Sequence, residues 1–301
     1  MDPVLNVLSA DRGLSASVGW ISRNLHHFEM RGVASAEEEL SMLKPLGELA
    51  LTSSILLRTG LHTQLAREWA AWAWEGLDSG DKIIQVLACR PDLIALSSLC
   101  ATFSELGYGR PEIHSFLSYL ARTANWSALE LPPWRRLDVD LALEVLQISP
   151  FPQRSQENLW LAKQPEPWMI SNDVAYCITH EVFYVTDFGA QAQRIDPAIR
   201  EYLKTWLPSW FSIFAELKNM DILSELIMVS ACIGEAASFG EAIEHVLHSQ
   251  HADGLIPSPL GSGRQLICPA DTPDRVHFLS NYHTALVGTM ALAMTCASVE
   301  R

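Results

Sequence analysis

The sequence predicts an all-α fold: antiparallel helix pairs, closed into an α/α toroid around a central cavity. Three observations lead there. Apolar residues recur at three- and four-residue spacings along most of the chain, and the strict alternation of a half-buried strand is nearly absent. Proline and glycine interrupt that pattern at short intervals, marking about twelve to fourteen helical runs with brief connections. No repeat of fixed period is legible, which favours a closed ring over a regular solenoid.

Taken in order, residues 14–28 form the first helix, with Trp20, Ile21 and Leu25 inward. Ser35-Ala36-Glu37-Glu38 has the form of a capping box and opens a second helix. Pro45 should break it, since proline lacks an N–H and its ring crowds the carbonyl four residues back. The pattern restarts over 46–57, burying Leu49, Ile55 and Leu56, and Gly60 ends it. Residues 63–76 carry Trp69, Trp72 and Trp74, and a shorter helix covers 81–89. Pro91 suits the first turn of a helix over 92–106, and 112–122 follows. Pro132-Pro133 makes 125–134 a connector before a helix at 137–146.

A proline-bearing break near 149–155 is the one weak internal boundary in a single helical domain over 1–301. Helices resume at 156–163 and 172–189. The helix after Asp196-Pro197 should stop at Pro208, with further runs at 210–217, 221–233 and 241–250. A Gly/Pro-rich loop over 253–274 precedes the last apolar helix, 282–297, and reads as a lid on the cavity mouth.

Charge narrows the function. With 21 Lys and Arg against 35 Asp and Glu, the net charge is −14, and no basic run is present. Nucleic acid and anionic membrane surfaces both require a basic face, so neither is expected as a partner. The start lacks a basic, apolar leader and no apolar stretch reaches membrane-spanning length, so a soluble, cytoplasmic protein is expected. The six cysteines are scattered without a CxxC pair, which is neither a disulfide framework nor a zinc finger.

The stretch 172–189, NDVAYCITHEVFYVTDFG, is where chemistry concentrates. On a helix Asp173, His180 and Asp187 fall seven residues apart, within roughly 40° of one another. Tyr176, Cys177 and Tyr184 join their stripe. Ionisable groups without lysine or glutamate neighbours on the same face point into a hollow rather than water, because desolvating each ion costs several kcal/mol unless it is partnered. His180 is the candidate acid or base. Asp173 or Asp187 would orient it, Tyr184 and Tyr176 would donate hydrogen bonds to a developing oxyanion, and His283 would supply the opposite proton transfer.

Glu225, Tyr282 and Glu48 are further candidates for contacting substrate. Asp221 reads as a dipole-stabilising acid in a first turn, and Asp138-Val139-Asp140 as helix-capping acids. His245, His248 and His251 have metal-like spacing on a polar, solvent-facing side. No cofactor is expected: P-loop, GxGxxG, HExxH and GxSxG patterns are all missing. A divalent metal, if bound, would take His180, Asp173, Asp187 and His283.

The pattern DxxYxxTHxxFYxTDFG, running from Asp173 to Gly189, resembles an all-helical family found in bacterial biosynthetic gene clusters. Arg135-Arg136-Leu137-Asp138 and Tyr282-His283-Thr284 resemble the same family. The resemblance implies a tailoring role in natural-product biosynthesis. Cys177 lies outside the pattern, so the resemblance lends a thiolate ligand no support. The residues favour a cofactor-free cyclase, lyase or isomerase acting on an apolar small molecule or carrier-tethered intermediate. The alternatives are a non-catalytic helical binding protein and a metal-dependent hydrolase or oxygenase using the same face. The reading leaves room for a homodimer.

Overall fold

The computed structural model describes residues 3–29, 36–152, 155–235, 240–259, 266–269 and 271–299, and among them there are helices and no strands. Thirteen α-helices follow in order: α1 (Pro3–Arg23), α2 (Ala36–Thr59), α3 (Thr63–Gly76), α4 (Asp81–Cys89), α5 (Ser97–Glu105), α6 (Pro111–Leu120), α7 (Ala124–Ala128), α8 (Pro133–Val145), α9 (Asn172–Thr186), α10 (Pro197–Glu216), α11 (Met220–Cys232), α12 (Gly240–Ser249) and α13 (Pro273–Val299). The all-α expectation holds. No helix among the described residues is long and apolar enough to cross a membrane.

Six of these helices pack in cyclic order. α2 lies against α5, α5 against α8, α8 against α9, α9 against α11, α11 against α13, and α13 returns to α2. Others pack outside this ring: α1 on α13, α3 on α2, and α10 and α12 on α11. The apolar core continues through both layers, from Leu14 and Ile21 of α1 to Leu203 and Phe214 of α10.

Helix starts follow the local chemistry. The side-chain oxygens of Thr123, Ser171, Asp196 and Asn219 each accept a backbone N–H from the first turn they precede. Pro111, Pro133 and Pro197 occupy first-turn positions, where a missing N–H costs nothing.

Several boundaries differ from the sequence reading. Pro45 and Pro208 lie inside continuous helices, α2 and α10. An interior proline costs about 3 kcal/mol. Leu46, Leu49 and Ala50 flank Pro45 with no exposure, and Leu207 and Trp210 flank Pro208 at 1%. Each large apolar side chain so buried contributes about 1.5–3 kcal/mol, so packing outweighs the proline. The first helix ends at Arg23, and residues 25–28 form a separate 3-10 turn. Residues 94–96 are likewise a 3-10 turn before α5, and 156–163 holds two such turns instead of a helix. α13 begins at Pro273, inside the expected loop. Its side chains are buried on every side, from Phe278 through Ala293, so it reads as apolar all round rather than amphipathic. Ser35 of the capping box lies outside the described residues, as do 260–265 of the expected lid, whose described residues do not line the cavity.

The stretch between α8 and α9, partly outside the described residues, is tied down by hydrogen bonds rather than by helix. Glu181 of α9, fully buried, accepts the backbone N–H groups of Trp160 (2.9 Å) and Leu161 (3.0 Å). Trp210 Nε1 donates to the Pro167 carbonyl at 3.0 Å, and the Tyr202 hydroxyl donates to that of Pro165. Burial raises the Glu181 carboxyl to about 7 despite those two donors. Glu181→Gln puts an NH2 group against one of the N–H donors. It should cost about 1–3 kcal/mol, the penalty for a buried donor left unsatisfied, read as a lower urea midpoint at unchanged slope.

Candidate functional site

The cyclic helices line a cavity of about 610 Å³, open in part to solvent, a volume typical of small-molecule sites. Each ring helix contributes side chains: Lys44 and Glu48 from α2, Ser98 from α5, Arg135 and Asp138 from α8, Tyr176, His180 and Tyr184 from α9, Glu225 from α11 and His283 from α13. Leucine, methionine and phenylalanine side chains fill the surface between them.

His180 is fixed by its own helix. Its Nδ1 lies 2.9 Å from the Tyr176 carbonyl, which can only accept, so Nδ1 carries the proton. The free acceptor is therefore Nε2, as a general base would require. The ring stacks on Tyr176 at 3.8 Å between centroids, with Trp134 edge-on at 5.2 Å and Tyr184 at 5.8 Å. Burial pulls its pKa down to about 3, against the Tyr176 carbonyl and with help from the positive charge of His283. Glu225, not an aspartate of its own helix, is the nearest carboxyl recorded, 3.8 Å from Nδ1. Thr179 donates to Glu225 Oε2 at 2.5 Å. Burial, then the neighbouring Asp221, raises the Glu225 carboxyl well above its usual range.

His283 is the opposite case. Its Nδ1 lies 3.0 Å from Glu48 Oε1, and its Nε2 lies 3.8 Å from Asp221 Oδ2. Burial disfavours its charge, but Glu48 and then Asp221 outweigh that and raise it to about 9. Burial also opposes the charge on Glu48, yet His283 and then Lys44 hold its carboxyl below the usual range. His283 is the eleventh residue of α13 and faces the cavity instead of capping the helix. Glu48 likewise sits in mid-helix, because α2 does not break at Pro45.

The structure brings His180, His283, Tyr176, Tyr184, Glu225 and Glu48 to one cavity. Three candidates lie elsewhere. Asp173 is exposed in the first turn of α9. Asp187 is past the helix end in a left-handed conformation, φ +47°, and pairs with Arg58 at 3.0 Å. The seven-residue stripe fails there because α9 stops at Thr186. Tyr282 is buried behind the cavity, stacked on Phe278 at 5.7 Å with Phe28 edge-on. The set His180, Asp173, Asp187, His283 therefore does not converge on a metal. Among the described residues no group of three or more His, Cys, Asp or Glu is arranged to hold one. His245, His248 and His251 are exposed.

Sequence reasoning placed Arg135 in the family pattern without a role at the site, and it assigned Asp138 and Asp221 to helix ends. α8 starts at Pro133, so Asp138 is well inside it, buried, and bound to Arg135 Nη1 at 2.8 Å and Ser98 Oγ at 2.6 Å. The signal was present: Arg and Asp three apart form one helix-face pair. Asp221 lies in a first turn as expected, but it also accepts from Thr284 at 2.8 Å and faces His283.

Fold and site define an all-helical protein with a ligand-sized cavity whose walls carry two histidines. The chain belongs to the family described as a domain of unknown function, DUF6895, which it matches over residues 14–293. No curated protein and no solved structure matches it.

The two histidines make opposite pH predictions. His283 holds its proton more tightly folded, at about 9, than at its ordinary 6.5. Its contribution to stability is fully present below 6.5 and lost as pH rises through 9. His180 holds its proton less tightly, at about 3 against 6.5, so its contribution is fully present above 6.5 and lost as pH falls toward 3. Histidine ¹⁵N spectra should show His180 as the neutral Nδ1–H tautomer at about pH 5 and His283 charged at about pH 8. His283→Gln should lose most stability relative to the parent below pH 6.5, with the deficit closing as pH passes 9, measured by urea unfolding.

Proposed function

We propose that the protein is a cytoplasmic α/α-toroid enzyme that performs cofactor-independent acid–base chemistry on a largely apolar small molecule or carrier-tethered intermediate. Cyclisation, elimination and isomerisation are the reaction types such a set of groups serves. The observation that carries this reading is a neutral and a charged histidine facing one cavity from separate helices. His180 accepts a proton from substrate at Nε2, and His283 gives one to a developing oxyanion or leaving group. The two then exchange protons with solvent to reset. The hydroxyls of Tyr176 and Tyr184 make no hydrogen bond to a described residue, which leaves them able to stabilise charge on a substrate oxygen. Glu48 and Asp221 maintain the charge on His283 between turnovers. A tailoring role in natural-product biosynthesis is the setting that the resemblance of the Asp173–Gly189 pattern implies.

A second reading, a binding protein without catalysis, draws on the fact that more than half of the cavity-lining residues are apolar. His180→Gln separates the two. Introduced into the encoding strain, it should lower formation of the protein's product by about 10²–10⁴-fold, the usual share of a general base, while the purified variant keeps its helical circular-dichroism spectrum. A metabolite profile equal to the parent's would reject the enzyme reading in favour of binding.

A further inference from the structure

The wall formed by α8 and α9 differs chemically from the one carrying His283. Arg135 lays its guanidinium over the Trp134 ring, 4.5 Å from the centroid. One of its five N–H groups goes to Asp138 Oδ2. The other Asp138 oxygen accepts from Ser98, so this carboxylate is engaged at both oxygens and the guanidinium is held in place from below and from one side. The remaining N–H groups of Arg135 have no partner among the described residues. Tyr176 stands edge-on to the same Trp134 ring at 5.8 Å, and neither its hydroxyl nor that of Tyr184 is hydrogen-bonded within the described residues. All three side chains line the cavity.

A guanidinium and two phenols lining one cavity are hydrogen-bond donors, and the partner they suit is an oxygen anion. Carboxylate matches the guanidinium best, because two of its N–H groups can bind both oxygens at once. Near α13 the positive charges of His283 and Lys44 are already met by Glu48 and Asp221, so that end attracts a carboxylate less. The same cavity is also lined by Leu96, Leu99, Leu131, Met228 and Met290, a surface for hydrocarbon. We propose that Arg135, with Tyr176 and Tyr184, seats the carboxylate of an apolar carboxylic acid, whose chain lies along the leucine and methionine side chains. His180 stacks on Tyr176, so the carbons next to that head group lie beside the His180 ring. The proposal rests on the same cavity as the enzyme reading but not on its proton chemistry.

The test is calorimetric titration of the purified full chain with three probes sharing one hydrocarbon: sodium dodecanoate, dodecan-1-ol and dodecylamine, each below its micelle concentration. Dodecanoate should bind at least about tenfold more tightly than the alcohol, as a hydrogen-bonded charge implies. Arg135→Gln should reduce dodecanoate to the affinity of the alcohol and leave the alcohol unchanged. Because Arg135→Gln unpairs the buried Asp138, Tyr184→Phe serves as a second variant that preserves the ion pair. It should weaken dodecanoate about fivefold without affecting the alcohol. Equal affinity for all three probes, tightest binding of the amine, or a carboxylate preference that survives Arg135→Gln would each overturn the proposal. Failure of all three to bind would overturn it too, and leave the enzyme reading to the His180→Gln test. His180→Gln should keep the carboxylate preference, so a loss of proton chemistry in that variant leaves the anchor standing.

Discussion

The contact between His283 and Glu48, 3.0 Å long and largely shielded from water, holds the interior together in two senses. It joins α13 to α2, which is where the first and last ring helices meet. It also keeps a positive charge inside the cavity, and that charge helps to hold His180 neutral. Removing one partner of a buried pair typically costs about 3–5 kcal/mol, because the other is left charged and alone. The ring's closure and its electrostatics therefore depend on the same side chains.

Around that contact the ionisable groups fall into two neighbourhoods. Glu48, His283, Asp221 and Glu225 form one, with Thr179 bonded to Glu225, and Arg135 with Asp138 and Ser98 the other. Glu225, Asp138 and Asp221 each accept from a hydroxyl on a different helix, and Glu48 lies against His283, which is how several carboxyls can be buried together. Glu181 follows the same rule on the outer side of α9, where its partners are backbone N–H groups. One helix thus points a histidine inward and a carboxylate outward at adjacent positions, 180 and 181.

The helical class was legible because periodicity and punctuation are local signals. His180, Tyr176 and Tyr184 were legible for the same reason, lying within three turns of one helix. What failed was anything that depended on where that helix stops. Asp187 shares the stripe by counting, but the chain turns left-handed at Asp187, Phe188 and Gly189 in succession, with φ of +47°, +50° and +91°. Phe188 folds back to stack on Phe183 at 5.3 Å, which offsets the strain of that conformation. Pro45 misled in the reverse direction: its local preference is real, but tertiary burial overrides it, and Glu48 consequently seemed to lie at a helix start. The pairing of Glu48 with His283 spans more than two hundred residues, and no local pattern announces a contact of that kind.

That separation has a bearing on how the cavity comes into being. Its lining starts at Leu43 and ends at Met290, so nearly the whole polypeptide must be synthesised before the last wall can be set in place. A chain without α13 would lose His283, Leu286, Val287 and Met290 from that lining. Occupancy of the cavity is in that sense a readout of completed assembly, and any molecule that fits it would act as a clasp between the earliest and latest parts of the chain.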